Sequence, residues 1–172
     1  MLRSAFLPLA AEYLTLLHRW LQQPHVREFW DDGDRTLEQV RAHYFAPERD
    51  VLAFIFMLDG QPAGYVQAYP VTTEGDYTGW RSETGETWGI DLFIGEEKWL
   101  GRGVAVFVIR AVLAHLQGLR PALRRVLIDP EERNTRARHV YARAGFTELG
   151  RVELDGKRLV VMRLDVNGDE LP

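Results

Sequence analysis

Three segments that follow one another constrain this chain more than anything else in it. They are a strand-like run, TWGIDLFIG (87–95), a glycine turn, LGRGVA (100–105), and an apolar helical run, VAVFVIRAVLAHL (104–116). A helix that opens on such a turn leaves its first backbone N–H groups without intrahelical partners. Its N-terminal end also carries partial positive charge. Gly101 and Gly103 have no Cβ, so a bulky anion can approach the backbone closely. Strand, glycine turn and helix together predict a phosphate site.

A second segment, NTRARHVYARAGF (134–146), reads as a helix that starts at Asn134 and ends at Gly145. Ala137 and Tyr141 fall near one face of it. The remaining elements are read from pattern. Residues 9–22 form an amphipathic helix ending at Pro24. Thr36 caps a helix over LEQVRAHYF. VLAFIFML, Asp59-Gly60 and PAGYVQAYP form a hairpin. Residues 71–86 are a long polar loop, the kind that often binds something. RRVLIDP (124–130) is a buried strand, and strands 146–153 and 157–164 flank an Asp155-Gly156 turn. The tail VNGDELP is expected to fray. Alternating strands and helices give an α/β protein, a mixed central sheet with helices on both faces.

Length and composition bound the class. The 172 residues, 46% hydrophobic and 27% charged, are expected to form a single domain over 1–172. No apolar run is long enough for a membrane span, and Glu12 interrupts the short apolar N-terminal run, which reads poorly as a signal peptide. A cytoplasmic protein with no membrane partner is expected. There is no cysteine, and the five histidines (18, 25, 43, 115, 139) lack zinc-ligand spacing, so no metal is expected. Residues 1–97 carry 7 Arg, no Lys and 16 acids, a net of −9, whereas residues 98–172 carry a net of +5. The basic half suits a phosphate-bearing ligand and the acidic half a cationic partner. Overall acidity argues against nucleic acid.

Two acids stand out. Asp91 lies inside the apolar strand, on one face with Gly89 and Phe93 by two-residue alternation. A carboxylate there needs a partner or a function. Asp129 closes its strand, a common place for ligand residues in open α/β sheets.

The LGRGVA turn and the Asn134–Phe146 segment, in this order, resemble the GCN5-related N-acetyltransferase (GNAT) superfamily. WGIDLFIG, Leu-Gly-Arg-Gly, the Asp-Pro pair and Asn-x-x-Ala-x-x-x-Tyr-x-x-x-Gly-Phe are most similar to the bacterial aminoglycoside 6'-N-acetyltransferases. VREFWDD, GYVQAYP and Gly75-Asp76 extend the similarity over about Val26 to Met162. The loop after Asp76 departs from the acidic aromatic loop of those enzymes, reading Tyr77, Thr78, Gly79, Trp80, Arg81.

The resemblance implies the GNAT fold and acetyl-CoA as acyl donor. Gly101, Arg102, Gly103, Val104 and Ala105 would take the pyrophosphate, and Asn134, Ala137 and Tyr141 the pantetheine arm and sulfur. A backbone N–H along Leu92, Phe93 and Ile94 would polarise the thioester. Trp30, Tyr44, Asp76, Asp91 and Asp129 would face the acceptor amine. It further implies direct attack in a ternary complex, with Asp91 as base or ammonium ligand and Tyr141 as proton donor to the thiolate. Other readings stay open. Tyr141, Trp30 and Tyr44 also read as core aromatics and Asn134 as an N-cap. The acceptor could be a polyamine, a lysine-derived siderophore precursor or a protein N-terminus. The chain could also be a non-catalytic acyl-CoA-binding module. It would be a monomer or a homodimer.

Overall fold

In the computed structural model, which describes residues 1–166, seven strands form one mixed sheet in the order β1-β2-β3-β4-β5-β7-β6. The strands are β1 (Ser4–Pro8), β2 (Leu52–Leu58), β3 (Gln61–Pro70), β4 (Glu86–Ile94), β5 (Leu123–Ile128), β6 (Thr147–Leu154) and β7 (Lys157–Asp165). The helices are α1 (Leu14–Leu21), α2 (Pro24–Arg27), α3 (Leu37–Tyr44), α4 (Val104–Leu119) and α5 (Thr135–Ala144). The expectation for the tail falls, beyond Val166, outside the described residues. No helix among the described residues is long and apolar enough to cross a membrane.

The chain divides into two compact units, with β3 and β4 each passing from one into the other. The first comprises residues 1–67 and 92–102. Here β1 pairs antiparallel with β2, Phe6 opposite Phe56. Leu14, Leu17, Trp20 and Leu21 of α1 pack with Val26, Val40, Ile55 and Tyr65 into one core. The apolar stripe of α1 is what buries it. Thr36 and Gln39 form a reciprocal capping box that starts α3.

The second unit comprises residues 68–91 and 103–172. There β4 and β5 are parallel, Trp88 opposite Val126, and α4 is the crossover a parallel pair needs. β7 pairs antiparallel with both β5 and β6. Asp59 and Gly60, and again Asp155 and Gly156, all take positive φ, as tight two-residue hairpin turns require.

Three readings from sequence are corrected. Residues 4–8 form an edge strand that pattern alone did not suggest, because Ser4–Pro8 alternates for five residues only. Residues 11–13 form a 3₁₀ turn, so the helix begins at Leu14 rather than residue 9. Pro24 does not merely stop α1; it opens α2 at a position where its missing N–H costs nothing.

Candidate active site

In the turn before α4, Gly101 and Gly103 take φ of 70° and 69°, and an added Cβ at either would meet nothing within 4 Å. Left-handed backbone, more than close approach, demands glycine here. Gly103 is the N-cap of α4, and no side chain caps this helix end. Arg102 is exposed, Ala105 partly buried, and Val104 turns inward at 7% exposure. Open space beside uncapped first-turn amides fits a phosphate-bearing group.

Asn134 caps α5, its side-chain oxygen accepting from Ala137 N at 3.1 Å. The carboxamide therefore has its NH₂ left to offer. Ala137 and Tyr141 lie partly buried further along α5.

In the second unit the two singled-out acids meet. Asp91 lies within β4, Asp129 follows directly on β5, and the charge of Asp91 disfavours ionisation of Asp129. Burial is the larger cause; together they push the Asp129 carboxyl up to about 7. Tyr77 Oη donates to Asp129 Oδ2, and the backbone N–H of Asp129 also bonds its carboxylate; both act the other way. Burial first, then the charges of Asp91 and Asp129, raise the Tyr69 phenol well above its ordinary pKa. Burial, then the charges of Asp91 and Asp129, keep the Tyr141 phenol protonated well above its ordinary range. A small pocket with a cavity volume of about 10 Å³ opens here, lined by Tyr69, Val71, Tyr77, Leu127 and Asp129 among others. Gly89 makes room for the Tyr69 ring: an added Cβ would stand 2.3 Å from it. Asp76 is exposed on the loop beside Tyr77.

Trp30 and Tyr44 belong to the first unit. Tyr44 is buried, and Trp30, Tyr65 and Phe93 stack edge-on or tilted around it or one another, with Trp30–Phe93 centroids 4.9 Å apart. Trp30 Nε1 donates to Tyr44 Oη at 2.8 Å, and Tyr44 Oη donates to Asp32 Oδ2 at 2.5 Å. Burial first, then Asp32, raises the Tyr44 phenol far above its usual pKa. Leu92, Phe93 and Ile94, all partly buried, form the end of β4.

Sequence reasoning missed Tyr69, Tyr77 and Asp32. Tyr69 had a signal: it alternates with Tyr65 and Gln67, and the glycine two residues before Asp91 leaves space for a ring. Tyr77 had none, since its partner is 52 residues away. Among the described residues, no group of three or more His, Asp or Glu side chains could hold a metal.

The fold and this arrangement define an α/β protein with a left-handed glycine turn before α4 and two neighbouring acids, Asp91 and Asp129. Residues 10–154 match the acetyltransferase (GNAT) domain model, and the chain belongs to the GNAT acetyltransferase family. The aminoglycoside N(6')-acetyltransferase type 1 of Klebsiella pneumoniae is 33% identical over 157 residues, covering 87% of this chain and 77% of that protein. Lysine N-acyltransferase MbtK of Mycobacterium sp. (strain MCS) is 26% identical over 156 residues, covering 87% of this chain and 61% of the relative. The crystal structure of aminoglycoside acetyltransferase AAC(6')-Ib in complex with coenzyme A matches at TM-score 0.83 and 29% identity, covering 95% of each chain. Its complex with coenzyme A and kanamycin matches at 0.82. The seven-stranded sheet is thus that of the GNAT fold.

The acid pair predicts a pH signature in stability. Unfolded, Asp129 ionises near 3.9; folded, it keeps its proton to about 7. Between these values the native state binds more protons, so stability falls as pH rises through the window, and the cost is complete above it. Asp129→Asn removes that cost. Its Tm should exceed the parent's at about pH 8, by about 2–4 °C for each kcal/mol recovered, and the gain should shrink as pH falls towards 4. A gain independent of pH, read by calorimetry, would contradict the buried-pair account.

Proposed function

We propose that the protein transfers the acetyl group of acetyl-CoA to the 6'-amine of an aminoglycoside. The observation that carries this reading is the partly buried Asp129 in a tyrosine-lined pocket, with Asp91 close enough for its charge to act on it. Two neighbouring carboxylates that resist ionising together favour a ligand bringing more than one ammonium. The named substrates of the 33% identical relative and of the matching crystal structures are polycations of that kind. A lysine acceptor, suggested by the 26% identical relative, would bring its own carboxylate towards this acid pair.

Acetyl-CoA supplies an acyl group activated as a thioester. Gly101, Arg102, Gly103, Val104 and Ala105 would hold its pyrophosphate on the first-turn amides of α4. Asn134, through its NH₂, and Ala137 would take the pantetheine arm, and a backbone N–H of Leu92, Phe93 or Ile94 the carbonyl oxygen. An alkyl ammonium has a pKa near 10, so it must lose a proton before it can attack. Asp91 takes that proton, directly or through water. Tyr141, kept protonated by its surroundings, gives one to the departing sulfur. The nitrogen sheds two protons on becoming an amide: one goes to the Asp91 side, and the other, lost as the C–S bond breaks, restores the Tyr141 phenol that protonated the sulfur. Asp129 and Asp76 hold the acceptor's remaining ammonium groups.

The reading is tested by thiol release from acetyl-CoA with kanamycin, followed by NMR of the product. Acetyl on the 6' nitrogen is expected; turnover of monoamines but not kanamycin would overturn it. Tyr141→Phe keeps the ring and should lower kcat about 10²–10⁴-fold, with KM for acetyl-CoA little changed. Valine at 103 would be strained by φ of 69°, so Gly103→Asn, which tolerates that backbone, is the cleaner test of the turn. The added side chain should weaken CoA binding by about tenfold or more in calorimetry, the size of one lost charged hydrogen bond. Unchanged affinity would reassign the phosphate site.

A further inference from the structure

The loop after β3 is where this chain departs from the enzymes it resembles, and the structure ties it down. Thr78 Oγ1 donates to Gly75 O at 3.0 Å, Arg81 Nε to Val71 O at 3.0 Å, and Ser82 N to Thr87 Oγ1 at 2.8 Å. Arg125, held by Asp165, donates to Trp80 O at 2.9 Å. The Trp80 ring lies 5.9 Å from that of Tyr77 and backs onto Gly150, where an added Cβ would come within 3.5 Å of it. These ties deliver the Tyr77 hydroxyl to Asp129.

We propose that Tyr77 is a positioning residue for acceptor binding: its hydroxyl takes one oxygen of Asp129, fixes the carboxylate towards the cleft and readies it for a ligand ammonium. This rests on the reading of Asp129 as an acceptor ligand. A carboxylate has about four lone-pair sites, so one phenol donor orients the group without exhausting it. The phenol oxygen keeps lone pairs of its own and can accept from a second donor on the same ligand.

The surroundings explain why such a partner is needed. The groups that act on Asp129 or feel its charge are Asp91 from β4, Tyr69 from β3, Tyr141 from α5, and Tyr77, with Asp76 next to it, from the loop. No cation stands among these described groups. In this acidic setting the ionised form of Asp129 leans on the Tyr77 O–H and on its own backbone N–H. Removing the hydroxyl should leave Asp129 protonated over more of the neutral range and free to turn.

Tyr77→Phe keeps the ring against Trp80 and removes the hydroxyl. Kanamycin and spermidine are titrated calorimetrically into CoA-saturated protein, parent and variant, at about pH 7 and about pH 8.5. The variant should bind whichever polyamine the parent binds about fivefold to tenfold more weakly at the lower pH. The penalty should shrink at the higher pH, where Asp129 ionises without help. In an Asp129→Asn background the same change should add nothing, as expected of residues acting as one unit. An unchanged or tighter Kd, a penalty equal at both pH values, or full additivity with Asp129→Asn would overturn the proposal. Should the parent bind spermidine and not kanamycin, the aminoglycoside reading falls. The role of Tyr77 is then decided by the same comparison with spermidine.

Discussion

Asp129 ionises against the charge of Asp91 inside a partly buried site, and the proposed chemistry turns on that opposition. Burial alone would push a carboxyl towards neutrality; a second acid beside it adds to the push. Such an arrangement costs stability in the absence of cations. A chain that keeps it has built the rest of the cleft around it. Tyr77 serves Asp129, and Gly89 is small so that the Tyr69 ring fits. The same two charges help keep Tyr141 protonated, which is the state a proton donor needs.

The two ends of the proposed reaction rest on different physics. At the turn before α4 the backbone does the work: left-handed glycines and uncapped amides suit a phosphate group, and side chains contribute little. At the acid pair the side chains do it, and their positions depend on strands far apart in sequence. This explains why the turn can be read from a short stretch of sequence, while the surroundings of Asp129 cannot.

Much of this was legible in the sequence. The glycine turn, both Asp-Gly hairpins, the Thr36 and Asn134 caps and the helix α4 are local features, and local chemistry specifies them. Asp91 was legible because a carboxylate inside an apolar strand is anomalous. What could not be read was pairing across the chain. Nothing near Tyr77 indicates that it reaches Asp129, and nothing near Asp32 indicates that it gathers the hydroxyl of Tyr44 and the indole of Trp30. β1 was missed because a five-residue edge strand shows too few alternations to register.

In the proposed reaction, Asp91 and Asp129 form one ligand-responsive acid pair. The most direct measurement is a carboxyl ¹³C NMR titration of Asp-labelled protein, with Asp129→Asn used for assignment, in the presence and absence of kanamycin. The account predicts that Asp129 titrates near neutrality, far above an ordinary aspartate. It further predicts that a bound polycation moves this titration to lower pH. An Asp129 resonance that titrates near 4, and does not move when the ligand is added, would contradict it.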